Sequence, residues 1–476
     1  MTEVAADPID AITTLRPVDT ATTREGVHSG QDADELRDAM VDEVIVREWP
    51  GLDPPREVEA ALRTVPRHLF APEVPLETAY ANHSIVTKRN ERGGPISSVS
   101  APWLQAIMLG QLQVAPRQRV LEIGSGGYNA ALLRELAGPD GSVTTIDIDQ
   151  EIADRARMCL AAAGYPDVRV VCGDGEFGAA EYGPFDRIIV TVGTWDIPPA
   201  WVEQLAEGGR LVVPLRTKGL GRSWALEHAD RYLVGRAPQS CGFVPRQGVG
   251  EHRGRSTIPL HGSEVRLCPN AGQQVDIAAL SEVLSTPRAQ AWSGVTVRKR
   301  ETFGNLDLWL ARLPEFCLLS ANQDAVDRGL VSPTWYMATP TLVEGRSLAY
   351  RAKLRPVEAD ETMRELGAYA HGPDAVEAAD RFVDQIRIWD RDHRHGPGPC
   401  LTVHPAGTPD AELPSGFVTD SRHTRIVISW PEQPPNGPKR AQSRRPPRPR
   451  PPAPTPSGPH RASSPTTGRV RHPDGN

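Results

Sequence analysis

The chain has 476 residues, a formal net charge of -7 and 39% hydrophobic residues, which is too long for one ordinary domain and apolar enough for a sizeable core. No apolar run approaches the roughly 20 residues of a membrane helix, and Met1–Asp7 lack the basic flank and apolar stretch of a secretory signal. The six cysteines (Cys159, Cys172, Cys241, Cys268, Cys317, Cys400) are dispersed without a C-x-x-C pair, so no metal site and no disulfide scaffold are indicated and a reducing cytoplasm is expected.

Taken in chain order, residues 1–34 are poor in apolar side chains and read as a disordered acidic segment. Leu36, Met40 and Val44 recur at helical spacing, and Val58, Ala61, Leu62 and Val65 share a face of a second helix from Pro55. Residues 79–99, with Gly93-Gly94-Pro95, read as a loop. Ser100 is a plausible N-cap and Pro102 a first-turn residue for a helix that buries Trp103, Leu104, Ile107 and Met108.

Strand and helix signals then alternate. Strands are expected at 119–123, 143–147, 168–172, 185–190 and 209–214, with helices at 128–136, 152–163 and 199–205. Buried apolar strands in β-α-β order specify a doubly wound, mainly parallel α/β sheet. Residues 224–227 and 232–234 read as late antiparallel strands. This first domain is drawn over residues 35–262. Residues 263–430 read as an accessory mixed α/β region, with strands at Leu308–Ala311 and Arg425–Ile428 and a helix near Ala375–Ile388. The run Asp390–His395 reads as a solvated loop, and His68 and His83 as structural or surface residues. Residues 431–476 form a Pro/Arg-rich tail. From 437 onward nine Lys/Arg face one acid, so this stretch carries +8 and the rest of the chain -15. Such a tail is expected to be disordered and solvated, with weak polyanion or partner binding as the functional reading.

The chemistry concentrates in Val120-Leu121-Glu122-Ile123-Gly124-Ser125-Gly126-Gly127-Tyr128-Asn129. A strand, a glycine bend and a helix put free backbone N–H groups beside a ligand at the sheet's carboxyl edge. Asn129 stands where a dinucleotide fingerprint has Gly or Ala, which disfavours a nicotinamide oxidoreductase. Glu122, two residues before Gly124, suits a ligand with an ammonium or sulfonium group, such as S-adenosylmethionine. Asp147 falls 23 residues after Gly124, where an acceptor for ribose hydroxyls is expected, with Asp149 as second choice. Asp174-Gly175, ending the third strand, suits the exocyclic amine of adenine.

These residues and their neighbours resemble the protein-L-isoaspartate O-methyltransferase family over roughly Glu35 to Leu260. The likeness rests on Val65–Phe70, Ser98–Pro102, Val120–Leu133, Gly173–Gly178, Phe185–Thr191, Ile197–Pro199, Leu205–Pro214 and Gly242–Pro245, in the family's order. It implies a class I methyltransferase fold, S-adenosyl-L-methionine as cofactor, and esterification of isoaspartyl or aspartyl carboxylates in a protein or peptide substrate. It also implies Ser100 as the active-site serine, with Glu122, Gly124, Ser125, Gly126, Asp147, Asp174 and Gly175 at the cofactor. Ser97 or Ser98 would help position the acceptor. No specific nucleic acid or membrane partner is expected, and the oligomeric state is open. Two alternatives stand beside this reading: maturation of a ribosomal precursor peptide, and a non-catalytic binding protein on a methyltransferase fold whose glycine bend is one residue short.

Overall fold

A computed structural model describes residues 30–46, 54–252, 257–270, 272–298, 301–335, 337–358 and 360–431. Residues 1–29 and 432–476 lie outside the described residues, and with them most of both segments expected to be disordered.

Helix α1 (Gly30–Val46) begins inside the stretch expected to lack structure. Its face of Ala33, Met40, Val41 and Val44 is buried, which holds the polar first turn in the helix. Helix α2 (Arg56–Thr64) buries Val58, Ala61 and Leu62 at i, i+3, i+4. A single turn, α3 (Leu76–Ala79), follows. The loop expected over 79–99 instead contains a hairpin, β1 (Ile85–Arg89) with β2 (Pro95–Val99), in which Ile85 pairs with Val99. Asn90 Oδ1 makes the turn by accepting from the N–H groups of Arg92 (3.1 Å) and Gly94 (2.8 Å). Helix α4 (Pro102–Leu112) has Pro102 in its first turn as expected, but its N-cap is Ala101 and no side chain caps it. Ser100 therefore lies one residue too early to be the cap.

The central layer alternates β3 (Arg119–Ile123), α5 (Tyr128–Ala137), β4 (Ser142–Asp147), α6 (Gln150–Ala162), β5 (Arg169–Cys172), β6 (Phe185–Val190), α7 (Pro199–Glu203), β7 (Leu205–Thr217), β8 (Leu220–Ala229) and β9 (Tyr232–Ser240). Strands β5-β4-β3-β6-β7 are parallel neighbours in that order, and β8 and β9 continue antiparallel. The order reverses at β3, which has β4 on one side and β6 on the other. Its carboxyl end is thus the topological switch point, where open α/β sheets bind ligands.

The accessory region adds β10 (Ile258–His261), β11 (Val265–Cys268), α8 (Ile277–Leu280), β12 (Ala289–Arg298), α9 (Gly304–Ala311), β13 (Phe316–Ala321), α10 (Gln323–Asp327), β14 (Thr339–Glu344), β15 (Ser347–Arg351), β16 (Arg355–Val357), β17 (Asp360–His371), α11 (Ala375–Asp392), β18 (Cys400–Pro405), β19 (Phe417–Asp420) and β20 (Thr424–Ser429). Strands β10 to β17 form an eight-stranded antiparallel sheet. Helix α11 buries Ala379, Phe382, Val383, Ile386 and Trp389 against it. The strand expected at Leu308–Ala311 is the last turn of α9. Leu306, Leu308, Leu310 and Ala311 are all fully buried there, which erases the helical period from the sequence.

Strands β18, β20 and β19 return to the first sheet, β18 pairing with β9, to make it ten-stranded. The boundary drawn at 262/263 therefore does not divide two separate layers, and one hydrophobic core runs from Leu121 and Trp224 to Phe382 and Ile428. The run Asp390–His395 is not a solvated loop. It closes α11, and Arg394 donates to Glu301 (2.6 Å), Asp390 (2.7 Å) and the Thr296 carbonyl (2.9 Å).

Candidate functional site

A cleft of about 440 Å³ opens at the carboxyl end of β3. Its floor is the bend between β3 and α5, and its outer wall is the β1–β2 hairpin with the start of α4. Ser97, Ser98, Ser100, Gln105, Glu122, Gly124, Ser125, Gly126, Asn129, Asp147 and Thr191 all line it. Six of the eight expected site residues are therefore brought together.

The bend needs its glycines. Gly124 has φ of +95°, and a Cβ there would stand 2.8 Å from Val192 Cγ1 and 2.9 Å from Thr191 Oγ1. Asp147, from the neighbouring strand, fastens the bend: its Oδ2 accepts from the Ser125 N–H at 2.9 Å and its Oδ1 from the Asp149 N–H at 2.9 Å. Burial pushes the Asp147 pKa up, against the two N–H bonds. Asp149 has other duties. It caps α6 through the Glu151 and Ile152 N–H groups and pairs with Lys88 Nζ at 2.6 Å.

Glu122 is fully buried. Its Oε1 accepts from Asn129 Nδ2 at 2.9 Å and its Oε2 from Thr145 Oγ1 at 2.7 Å. Burial still dominates and raises its pKa to about 7. No described residue neutralises it with a cation, so a positive ligand group in the cleft would restore full ionisation. The Ser125 hydroxyl is buried in the same lining and has no hydrogen-bond partner among the described residues. A buried hydroxyl without a partner costs roughly 1–3 kcal/mol, which a polar ligand would recover. Buried acid, orphaned hydroxyl and glycine bend together fit a cofactor with both a cationic and a hydrogen-bonding end.

Asp174 and Gly175 stand outside this lining. Asp174 caps the short turn Gly175–Phe177, accepting from Glu176 N–H at 2.9 Å, and its other oxygen accepts from Val249 N–H at 2.8 Å. Gly175 is sterically required, since a Cβ would come within 2.6 Å of Ile123 Cγ2, and its carbonyl accepts from Trp201 Nε1. Both lie in the turn that follows β5.

Ser100 is half-buried and lines a second, larger cleft of about 1760 Å³ on its other side, together with Ser98, His83 and Trp103. His68 pairs with the Tyr80 hydroxyl at 2.7 Å, a structural role. The hairpin and α4 are held by Arg67, which is fully buried. It donates to the carbonyls of Ala79 (2.8 Å), His83 (3.1 Å) and Val99 (3.5 Å) and to Gln105 Oε1 (3.4 Å), and lies over the Tyr128 ring. Burial lowers its pKa to about 10.

Sequence reasoning missed Asn129 and Thr145 as partners of Glu122, and Thr191, whose hydroxyl donates to the Gly124 carbonyl at 2.7 Å. Thr145 faces Glu122 only because β3 and β4 are parallel in that register. No local signal carries that.

A family model for protein-L-isoaspartate(D-aspartate) O-methyltransferase matches residues 47–250. A protein-L-isoaspartate O-methyltransferase of Methanopyrus kandleri is 39% identical over 196 residues, 40% of this chain and 84% of that protein. One of Methanococcoides burtonii is 43% identical over 159 residues, 33% of this chain and 75% of that protein. A solved protein-L-isoaspartate O-methyltransferase structure aligns with a TM-score of 0.43 at 20% identity, covering 78% of this chain and 96% of that one. The family match ends at residue 250, before the accessory sheet.

Proposed function

This chain belongs to the protein-L-isoaspartate O-methyltransferase family, and from that membership we propose that it esterifies the free carboxylate of isoaspartyl residues in polypeptides. It is a methyltransferase of that family and S-adenosyl-L-methionine is its methyl donor. When bound, the donor supplies a sulfonium methyl for in-line attack by a carboxylate oxygen.

The chain's own part is positional. A carboxylate with an ordinary pKa near 4 is ionised at neutral pH, so its attack needs no general base. Among the described residues the smaller cleft is lined by no histidine or lysine, which agrees with that economy. Glu122 carries the charge complementary to the donor's cationic end, Ser125 and the 124–127 bend hold its polar groups, and Asp147 meets the ribose hydroxyls. Asp174 and Gly175 bound the adenine end of the rim. Ser100, shared by the two clefts, orients the acceptor carboxylate with help from Ser98. Alignment and exclusion of water can supply on the order of 7–11 kcal/mol in ideal cases. The ester formed beside a backbone amide then closes to a succinimide by attack of that amide nitrogen, with loss of methanol.

The single observation that carries this reading is the buried Glu122 facing, with the orphaned Ser125 hydroxyl, a cleft that runs to Ser100. The test is incubation of the full chain with methyl-labelled S-adenosyl-L-methionine and an isoaspartyl peptide. Base-labile label on the isoaspartyl peptide, and none on its aspartyl counterpart, is expected. No label on either would overturn the reading. One observation favours a second reading, a dedicated precursor peptide as substrate: the cleft beyond Ser100 is walled in part by residues 301–351, outside the family match.

A further inference from the structure

The larger cleft has two contrasting kinds of wall. Trp103, Phe243, Phe303 and Trp335 give it apolar faces. Between them stand two arginines from different sheets, Arg222 of β8 and Arg351 at the end of β15, with one carboxylate, Asp307 of α9, between them. Arg222 Nη2 donates to Asp307 Oδ2 at 3.3 Å and to the Gly304 carbonyl at 2.9 Å. Arg351 Nη1 donates to Asp307 Oδ1, and its Nε to Thr334 Oγ1 at 3.3 Å. Both arginine side chains are only 6% exposed. The other acid of this wall, Glu301, is engaged by Arg394.

Two guanidinium groups therefore share one carboxylate, and among the described residues one positive charge is left without a counter-charge where water is scarce. Burial pulls the Arg222 pKa down, against the pull of Asp307. A buried cation of this kind is stabilised by a second anion, and the planar guanidinium fork matches a carboxylate best. We propose that Arg222 and Arg351 bind a second carboxylate of the polypeptide substrate, an aspartate or glutamate side chain close in sequence to the residue held at Ser100. The accessory sheet thus supplies half of a subsite that selects acidic segments, with the aromatic walls packing the intervening side chains. The inference rests on the methyl-transfer reading of Ser100.

The test uses two fluorescein-labelled isoaspartyl peptides that differ only in flanking glutamates or glutamines. Binding to the full chain is followed by anisotropy with S-adenosyl-L-homocysteine present, and methyl transfer by base-labile label. The glutamate peptide is expected to bind about tenfold more tightly, as one charge-assisted contact warrants, and to lose most of that advantage at 1 M salt. Arg351→Gln, checked for folding by circular dichroism, is expected to cut the preference below about threefold. Equal affinity of the unaltered chain for the two peptides overturns the subsite even if both are methylated, and so does a preference that survives in folded Arg351→Gln. Tighter binding of the glutamate peptide with no methyl transfer to either leaves the subsite standing and removes the methyl-transfer reading instead.

Discussion

Asn129 donates its side-chain N–H to Glu122 Oε1 at 2.9 Å, tying the first turn of α5 to the last residues of β3 across the glycine bend. The bond fixes a fully buried carboxylate at the switch point of the sheet, and burial holds its pKa near 7 rather than 4.5. Between those values the folded chain keeps a proton that the unfolded chain has lost. This contribution to stability is therefore complete below pH 4.5 and disappears as pH rises through about 7. Glu122→Gln should remove the decline, so the melting temperatures of variant and parent should diverge across that interval in favour of the variant. S-adenosyl-L-methionine should bind the parent more tightly as pH rises past 7 and the variant weakly at every pH. Thermal shifts with and without cofactor from pH 5 to 8.5 check both.

Gly124→Ala should abolish cofactor binding and lower stability. The left-handed backbone and contacts of 2.8 and 2.9 Å to Val192 and Thr191 leave no room for a methyl group. The expected cost is about 1–3 kcal/mol, read by urea unfolding, with cofactor binding lost in calorimetry.

Ser100→Ala separates capping from chemistry. Because Ala101 is the N-cap and no side chain bonds to that helix end, the variant should melt within about half a kcal/mol of the parent. Its kcat/KM on an isoaspartyl peptide should fall by roughly 10- to 100-fold, the value of one well-placed hydrogen bond, with cofactor affinity unchanged. A stable variant with full activity would remove Ser100 from the site.

Arg67→Met should loosen the outer wall. The carbonyls of Ala79, His83 and Val99 would each lose a donor, at about 2–4 kcal/mol in total once relief of the buried charge is counted. Hydrogen exchange should then quicken in the β1–β2 hairpin more than in β3–β7.

The parallel strands were readable in the sequence because burial on both faces writes them as short apolar runs, as in Ile188–Val190 of β6 and Leu211–Val213 of β7. The bend at Gly124–Gly127 was readable because glycine alone tolerates it. The β1–β2 hairpin was not, since its pattern of Ile85 to Arg89 is half-polar and its turn rests on one Asn90 side chain. Helix α9 passed for a strand because its buried Leu306, Leu308 and Leu310 alternate with less buried residues, the period of a strand. Pairings such as Glu122 with Thr145, or β18 with β9, depend on register between segments far apart in sequence and leave no local trace. Arg351 and Asp307 were invisible as a pair for the same reason.

The pairing of β18 with β9 also orders events on the ribosome. Strand β9 is complete at Ser240, but the strand that covers its free edge begins at Cys400, about 160 residues later. At roughly 5–20 residues per second, that edge waits on the order of ten seconds or longer. Throughout that interval the nascent chain presents an unpaired row of backbone donors and acceptors, the kind of edge that recruits neighbouring chains. Yield in a heterologous host should therefore depend on chaperone supply and translation speed over residues 241–399 more than on the finished molecule's stability.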